Sequence, residues 1–314
     1  MKQENKIAFL CPYFGKFPEH FDFFLKSCEK NPDCTWFIFT DDKSEHDFPN
    51  NVKVEYMILS DLKHRFQEKL GFEIKLESTR KLGDYKPLFG FLFSEYIRDY
   101  HSWGHIDLAD SIYGRITHFL TNEILEKYDK TMVCGHMSIY KNTDEVNKRF
   151  MIPFLDGKSY KDIFSDETFY NFEEIAKYSI TTIYKENHFA IKNMSSNYAD
   201  ISNRRFDMRL GVINDDFDHF YLDKQKNFIF SWEDGVLYQH KIQHDKVIRT
   251  EYMYFHMKRR KINVECPIEE NKFILCPHGI VKYSLPTKKI IKKYDPKKIF
   301  SFPYLEEKFK KWKK

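Results

Sequence analysis

The chain has 314 residues, 42% hydrophobic and 18% aromatic, and a net charge of +4 at neutral pH. It can build the core of one large α/β domain or two modest ones, and no stretch approaches the roughly 18 apolar residues of a spanning helix. Charge is uneven: residues 288–314 hold eleven lysines against Asp295, Glu306 and Glu307, a local +8 that leaves −4 for the rest.

In chain order, KIAFLCPYFG (6–15) reads as a buried strand ending in a turn. FDFFLKSCEKN (21–31) has helical spacing, with Phe21, Phe24, Leu25 and Cys28 on one face. TWFIFTDD (35–42) and VKVEYMIL (52–59) read as two more strands, and DLKHRFQEKLG (61–71) as a helix that Gly71 stops. Strand, helix, strand, strand, helix predicts a mostly parallel sheet with crossover helices. LFGFLFSEYIRDY (88–100) and ITHFLTNEILEKYD (116–129) read as helices and KTMVCGHMSIY (130–140) as strand-like. From about 141 to 225 polar helices alternate with loops. FIFSWEDGVLYQH (228–240) reads as a hairpin turning at Glu233-Asp234-Gly235. Residues 251–262 and 271–281 read as further strands. One domain over 1–285, followed by a basic tail over 286–314, is the simplest organisation.

The six cysteines form no CxxC pair and fit no zinc template, which suits reduced thiols in a cytoplasmic protein. The N-terminus does not read as a signal peptide. The high Phe and Tyr content supplies a ring-rich core, and it equally matches an AT-rich genome.

In open α/β sheets ligands bind at the carboxyl ends of the strands. Three polar tips fall there: Tyr13-Phe14-Gly15-Lys16, Thr40-Asp41-Asp42 and Asp107-Leu108-Ala109-Asp110. Two carboxylates at the end of an apolar strand repel each other, and their burial is costly unless compensated. A hard divalent cation, Mn2+ or Mg2+, would compensate them and hold a diphosphate. The alternative is structural: Asp110 caps a helix after Ser111 and Asp107 pairs with a Lys or Arg.

The stretches PYFGKFPEHFDFFLKSCEKNP (12–32), FTDD (39–42), KLGDYKPLFG (81–90) and WGHIDLADSIYG (103–114), and more loosely GHMSIYKNT (135–143) and FHMKRRK (255–261), carry a resemblance. In order and over most of the chain, they resemble a bacterial family of glycosyltransferases from capsule and other polysaccharide biosynthesis loci. That family is similar to GT-A transferases, which implies a single Rossmann-like α/β domain and a DxD motif holding Mn2+ or Mg2+ on the diphosphate of a nucleotide sugar. The chain departs from DxD in its second acid, Asp110, which is displaced by one residue past Ala109; a turn or bulge can absorb such a shift.

The resemblance implies that Tyr13, Phe14, Gly15 and Lys16, with Thr40, Asp41 and Asp42, bracket the base and ribose. It implies that Asp84 and Lys86 meet nucleotide and phosphate, although both also suit a helix start with Pro87 in its first turn. It further implies that His256 completes the metal set of Asp107 and Asp110, and that Lys258, Arg259 and Arg260 neutralise the departing diphosphate. His105 and His136 are additional candidates beside the site, each equally suited to a structural role.

Glycosyl transfer needs a base for the acceptor hydroxyl or a stabilised oxocarbenium-like state. Glu173, Glu174, Glu233 and Asp234 are the candidates, Glu174 foremost and Asp234 next, while Trp232 would stack on a sugar. The tail interleaves Lys with aromatics, which suits an anionic membrane surface carrying a lipid-linked acceptor. Nucleic acid is not an expected partner, since no zinc finger or RNA-binding aromatic signature is present.

The resulting expectation is a metal-dependent glycosyltransferase using a nucleotide sugar, UDP-sugar favoured, at the inner face of the membrane. Its acceptor would be capsular polysaccharide, lipooligosaccharide or another lipid-linked glycan. The alternatives are a catalytically degenerate relative that binds a sugar nucleotide or a partner, and a phosphosugar transferase.

Overall fold

A computed structural model describes residues 6–201, 210–223, 227–257, 262–277 and 279–294. The chain opens with β1 (Ile7–Tyr13), α1 (Phe21–Glu29), β2 (Cys34–Thr40), β3 (Val52–Tyr56) and α2 (Leu59–Leu70), the order its periodicity predicts. Gly71 ends α2 in the left-handed region at φ 75°, where a residue without Cβ is unstrained.

Next come the short α3 (Leu82–Tyr85), β4 (Ser102–Ile106), β5 (Ser111–Tyr113), β6 (Lys130–Cys134), β7 (Met137–Lys141), β8 (Ile191–Lys192) and β9 (Ala199–Ile201). A seven-stranded sheet runs β3-β2-β1-β4-β7-β6-β8. β3, β2, β1 and β4 are mutually parallel, and only β7 opposes its neighbours. The carboxyl ends of β1, β2 and β4 therefore share one edge of the sheet.

Both faces of this sheet are covered, as a parallel sheet requires. Residues of β1 alternate between them: Ile7, Phe9 and Cys11 pack with Phe21, Phe24 and Cys28 of α1, while Ala8 and Leu10 pack with Phe66, Tyr85, Phe89 and Trp103.

The molecule is thus a mixed α/β protein, but one mostly parallel sheet does not describe all of it. A five-stranded sheet joins β5 and β9 to the strands Leu210–Ile213, Phe220–Leu222 and Tyr254–His256. A largely antiparallel six-stranded sheet contains the hairpin Phe228–Glu233 and Val236–Gln243, whose turn is Asp234 (φ 48°) and Gly235 (φ 91°), where it was expected.

Two expected helices are broken. Residues 88–100 form only the helix Phe89–Leu92 after a tight turn at Lys86–Leu88. The segment is buried on several sides, and Phe93 stacks on Phe39 at 4.3 Å, so side-chain packing overrides helical spacing. Residues 116–129 split into Ile116–Phe119 and Asn122–Lys127, because the Thr121 hydroxyl accepts the Ile124 N–H and starts a second helix. The run 130–140 is two strands, β6 and β7, meeting at Gly135-His136.

The helix Lys288–Tyr294 lies in the expected tail yet buries Ile291 against Ile229 and Ile274 of the third sheet. Residues 295–314 lie outside the described residues, and with them most of the expected membrane-binding segment. Among the described residues no helix is long and apolar enough to cross a membrane.

Candidate functional site

A cleft of about 870 Å³ opens at the carboxyl ends of β1 and β4. Its lining includes Tyr13 and Phe14 from the β1 tip, Lys86 after α3, Asp107 and Asp110 after β4, and His136 between β6 and β7. Phe169, Asn171, Glu173, Glu174 and His256 also line it. Nine residues singled out by sequence therefore share one cavity: Tyr13, Phe14, Lys86, Asp107, Asp110, His136, Glu173, Glu174 and His256.

The turn after β4 explains how a displaced second acid still reaches the first. Ala109 adopts the left-handed region at φ 64°, folding the chain so that Asp110 returns towards Asp107. The His20 ring stands 3.0 Å from the Ala109 carbonyl through Nε2 and fixes the turn. The Asp107 N–H donates to the His136 carbonyl at 3.1 Å, and the Met257 N–H donates to the Asp110 carbonyl at 2.6 Å. One ligand atom each from Asp107, Asp110 and His256 lie within 4.8 Å of one another.

His256 Nε2 is buried, has no hydrogen-bond partner among the described residues, and stands 3.8 Å from Asp107 Oδ2. An orphaned imidazole nitrogen facing two carboxylates is a donor set that could hold a divalent ion, and the mixed nitrogen and oxygen donors suit Mn2+ better than Mg2+.

The structural alternative for Asp107 is also realised: the Lys86 ammonium bonds its Oδ1 and donates to the Gly135 carbonyl at 2.9 Å. Burial alone would raise the Asp107 pKa, but the Lys86 ammonium outweighs it and holds the carboxyl well below its usual range. Burial would lower the Lys86 pKa, and the Asp107 carboxylate reverses this, so the ammonium stays charged.

Glu173 behaves oppositely. Burial raises its pKa to about 8, against the lowering pull of Lys86, so it is protonated at neutral pH. Glu173 packs against Gly83 and Gly135, and Glu174 against Gly135, because those glycines lack side chains. A Cβ at Gly135 would lie 2.7 Å from Glu174 Oε1 and 2.9 Å from Glu173 Cγ. Gly135→Ala is therefore expected to displace both carboxyl groups and cost about 1–3 kcal/mol, read as a lowered denaturation midpoint. A midpoint equal to wild type would show that the wall yields freely.

Other sequence candidates lie elsewhere. Gly15 and Lys16 are exposed, and the Gly15 and Phe17 N–H groups donate to Asp41 and Asp42, each at 2.7 Å. These two acids tie the β1 and β2 tips together. Thr40 and Asp41 line a separate cavity of about 240 Å³ with Tyr56 and Ile58. Asp84 does not reach the cleft: fully buried, it pairs with Lys81 at 3.0 Å and accepts the Tyr170 and Phe172 N–H groups. His105 is fully buried outside the lining, and burial pushes its pKa far down, leaving it neutral.

Asp234 is a correction. It pairs with Lys30 at 2.6 Å, beyond the C-terminal end of α1, whereas Pro18 and His20 before α1 border the cleft. The nine-residue helix between them spans about 13 Å. Glu233 accepts the Ser231 hydroxyl within the third sheet. Trp232 cannot stack on a sugar, being fully buried against Phe273 at 5.0 Å with its indole N–H on the Tyr113 carbonyl. Lys258, Arg259 and Arg260 lie outside the described residues.

Sequence reasoning passed over His20, Phe169, Asn171 and Asp200. The last had a visible signal, a lone aspartate in the buried run Tyr198-Ala199-Asp200-Ile201.

Comparison with curated proteins finds no match to this chain. Residues 9–284 match a family of unknown function, DUF6625, and because that match covers most of the chain, the protein belongs to this family.

Proposed function

We propose that the protein is a metal-dependent glycosyltransferase of the GT-A kind, moving a sugar from a nucleotide donor, a UDP-sugar first, to a glycan or lipid-linked acceptor. One observation carries the reading: Asp107, Asp110 and His256 converge in a cleft at the carboxyl ends of parallel strands. The parallel order β3-β2-β1-β4 and the aromatic β1 tip support it, since nucleotides favour such sheet edges.

Asp107, Asp110 and His256 would hold Mn2+ or Mg2+, which when bound grips a diphosphate and neutralises charge on the leaving phosphate. Lys86 adds a fixed positive charge beside the same oxygens. Glu174 lines the cleft and is assigned the acceptor proton. Glu173, protonated at neutral pH, serves as a hydrogen-bond donor there and not as a base. The lysines of residues 288–314 would hold the enzyme against an anionic membrane that carries the acceptor.

The test is a thermal-shift panel of nucleoside diphosphates with and without Mn2+, followed by donor hydrolysis. UDP with Mn2+ should raise Tm, with a gain of about 2.7 kcal/mol at a hundredfold excess over Kd. Asp107→Asn should abolish the metal-dependent part. An unchanged shift in that variant removes Asp107 from the site, and no shift with any nucleotide ends the transferase reading.

The Lys86–Asp107 pair favours a second reading, in which the ammonium takes the place of the ion and the protein binds a sugar nucleotide without turnover. Nucleotide binding indifferent to Mn2+ and to chelator, with no donor hydrolysis, would select it.

A further inference from the structure

β9 buries an aspartate among apolar neighbours, which is costly unless its oxygens are engaged. The strand Tyr254–His256 runs parallel to β9 and places His256 beside Asp200 in register. Asp200 Oδ1 stands 3.0 Å from His256 Nδ1. On the flank, His136 stacks on the His256 ring at 4.2 Å, with its own Nε2 at 3.9 Å from Asp200 Oδ2. The His136 Nδ1 is held in turn at 3.0 Å from the Tyr254 hydroxyl. The His256 ring is thus gripped at one edge and along one face.

A carboxylate only accepts, so the bond to Asp200 requires the proton on Nδ1. A neutral imidazole protonated there keeps its lone pair on Nε2, the buried atom that faces Asp107. We propose that Asp200 is a positioning residue that fixes the tautomer and ring plane of His256, so that Nε2 presents a lone pair to a divalent cation shared with Asp107 and Asp110. Outer partners of this kind set ligand basicity and orientation at metal sites. The inference rests on the metal-binding reading above.

The test is Mn2+ binding to the full chain, followed by titration calorimetry and by the spin signal of free Mn2+. Wild type should bind one ion. Asp200→Asn keeps the shape but offers an amide N–H to Nδ1, which favours the wrong tautomer, so affinity should fall about 10–100-fold. In a His256→Gln background the same change should cost nothing further, because the two residues act as one unit. Undiminished affinity in folded Asp200→Asn overturns the proposal, and so does an equal further loss in the His256→Gln background.

One atom each from His136, Asp200 and His256 also lie within 4.8 Å of one another, so two ions per chain would make Asp200 a ligand and overturn the positioning role. Failure of wild type to bind Mn2+ at all removes the metal reading itself, which separates that failure from loss of the Asp200 role alone. Should Asp200→Asn not fold, nitrogen-15 NMR of wild-type imidazoles near about pH 8 decides, with His256 assigned through His256→Gln. A protonated Nδ1 with bare Nε2 is expected; the reverse tautomer, or an imidazolium, refutes the proposal.

Discussion

Asp84→Ala is expected to destabilise the protein by about 3–5 kcal/mol, the usual cost of removing one partner of a buried ion pair. Asp84 has no exposed surface, and Lys81 is only 3% exposed. The Lys81 ammonium bonds Asp84 at 3.0 Å and also donates to the Thr168 and Ile163 carbonyls at 2.6 and 3.1 Å. The other side of the carboxylate holds the loop that carries Phe169, Asn171 and Glu173, through the Tyr170 N–H at 3.0 Å and the Phe172 N–H at 2.9 Å. Alanine would take the counter-charge from a buried ammonium and the acceptor from two N–H groups. Asp84→Asn retains an acceptor and should cost less. Urea denaturation of both variants measures the effect. A pair of variants with native stability but lost nucleotide binding would return Asp84 to the nucleotide contact that sequence resemblance implied.

Glu173→Gln is expected to stabilise the protein at alkaline pH and to change little in acid. Burial holds the folded pKa at about 8 against an ordinary value of 4.5. Between those values the folded chain binds one more proton than the unfolded chain, so stability falls as pH rises through that window. Below the window the group is protonated in both states and no penalty exists; above about 8 the full penalty applies. Glutamine has the shape of the protonated acid and does not titrate. The stability difference between variant and wild type should therefore grow by about 3–5 kcal/mol from about pH 4 to about pH 9. Lys86 opposes the shift while Glu174 and Asp84 reinforce it, so the profile also reports on the charge balance of the cleft wall. A difference that stays constant across the range would place Glu173 in water.

The first half of the fold was legible because its signals are local. The continuous apolar run Ile7 to Cys11, the apolar face of α1 and the Gly71 stop each depend on residues a few positions apart. The helix over 88–100 failed for the complementary reason: its apolar content was read correctly, but Phe93 takes its conformation from Phe39, a residue distant in sequence. Thr121 carried an ordinary helix-start signal that the continuous periodicity of 116–129 concealed.

At the site, the sequence by itself determined the residue types and the adjacency of Asp107 and Asp110 on a strand end, because repulsion between neighbouring acids is visible without coordinates. It also placed the Tyr13-Phe14 tip at the same sheet edge, while Lys86 came only from the resemblance. Only the tertiary structure decided which charges meet. His20 reaches Ala109 across 89 positions and Asp200 reaches His256 across 56, while Asp234, equally acidic on paper, turns to Lys30. The reason is physical: the state of a carboxyl depends on the water removed from it and the charges brought to it. Both are set by chain segments far apart in sequence, so Asp107 is held ionised, Glu173 keeps its proton, and Asp84 serves the wall instead of the cleft.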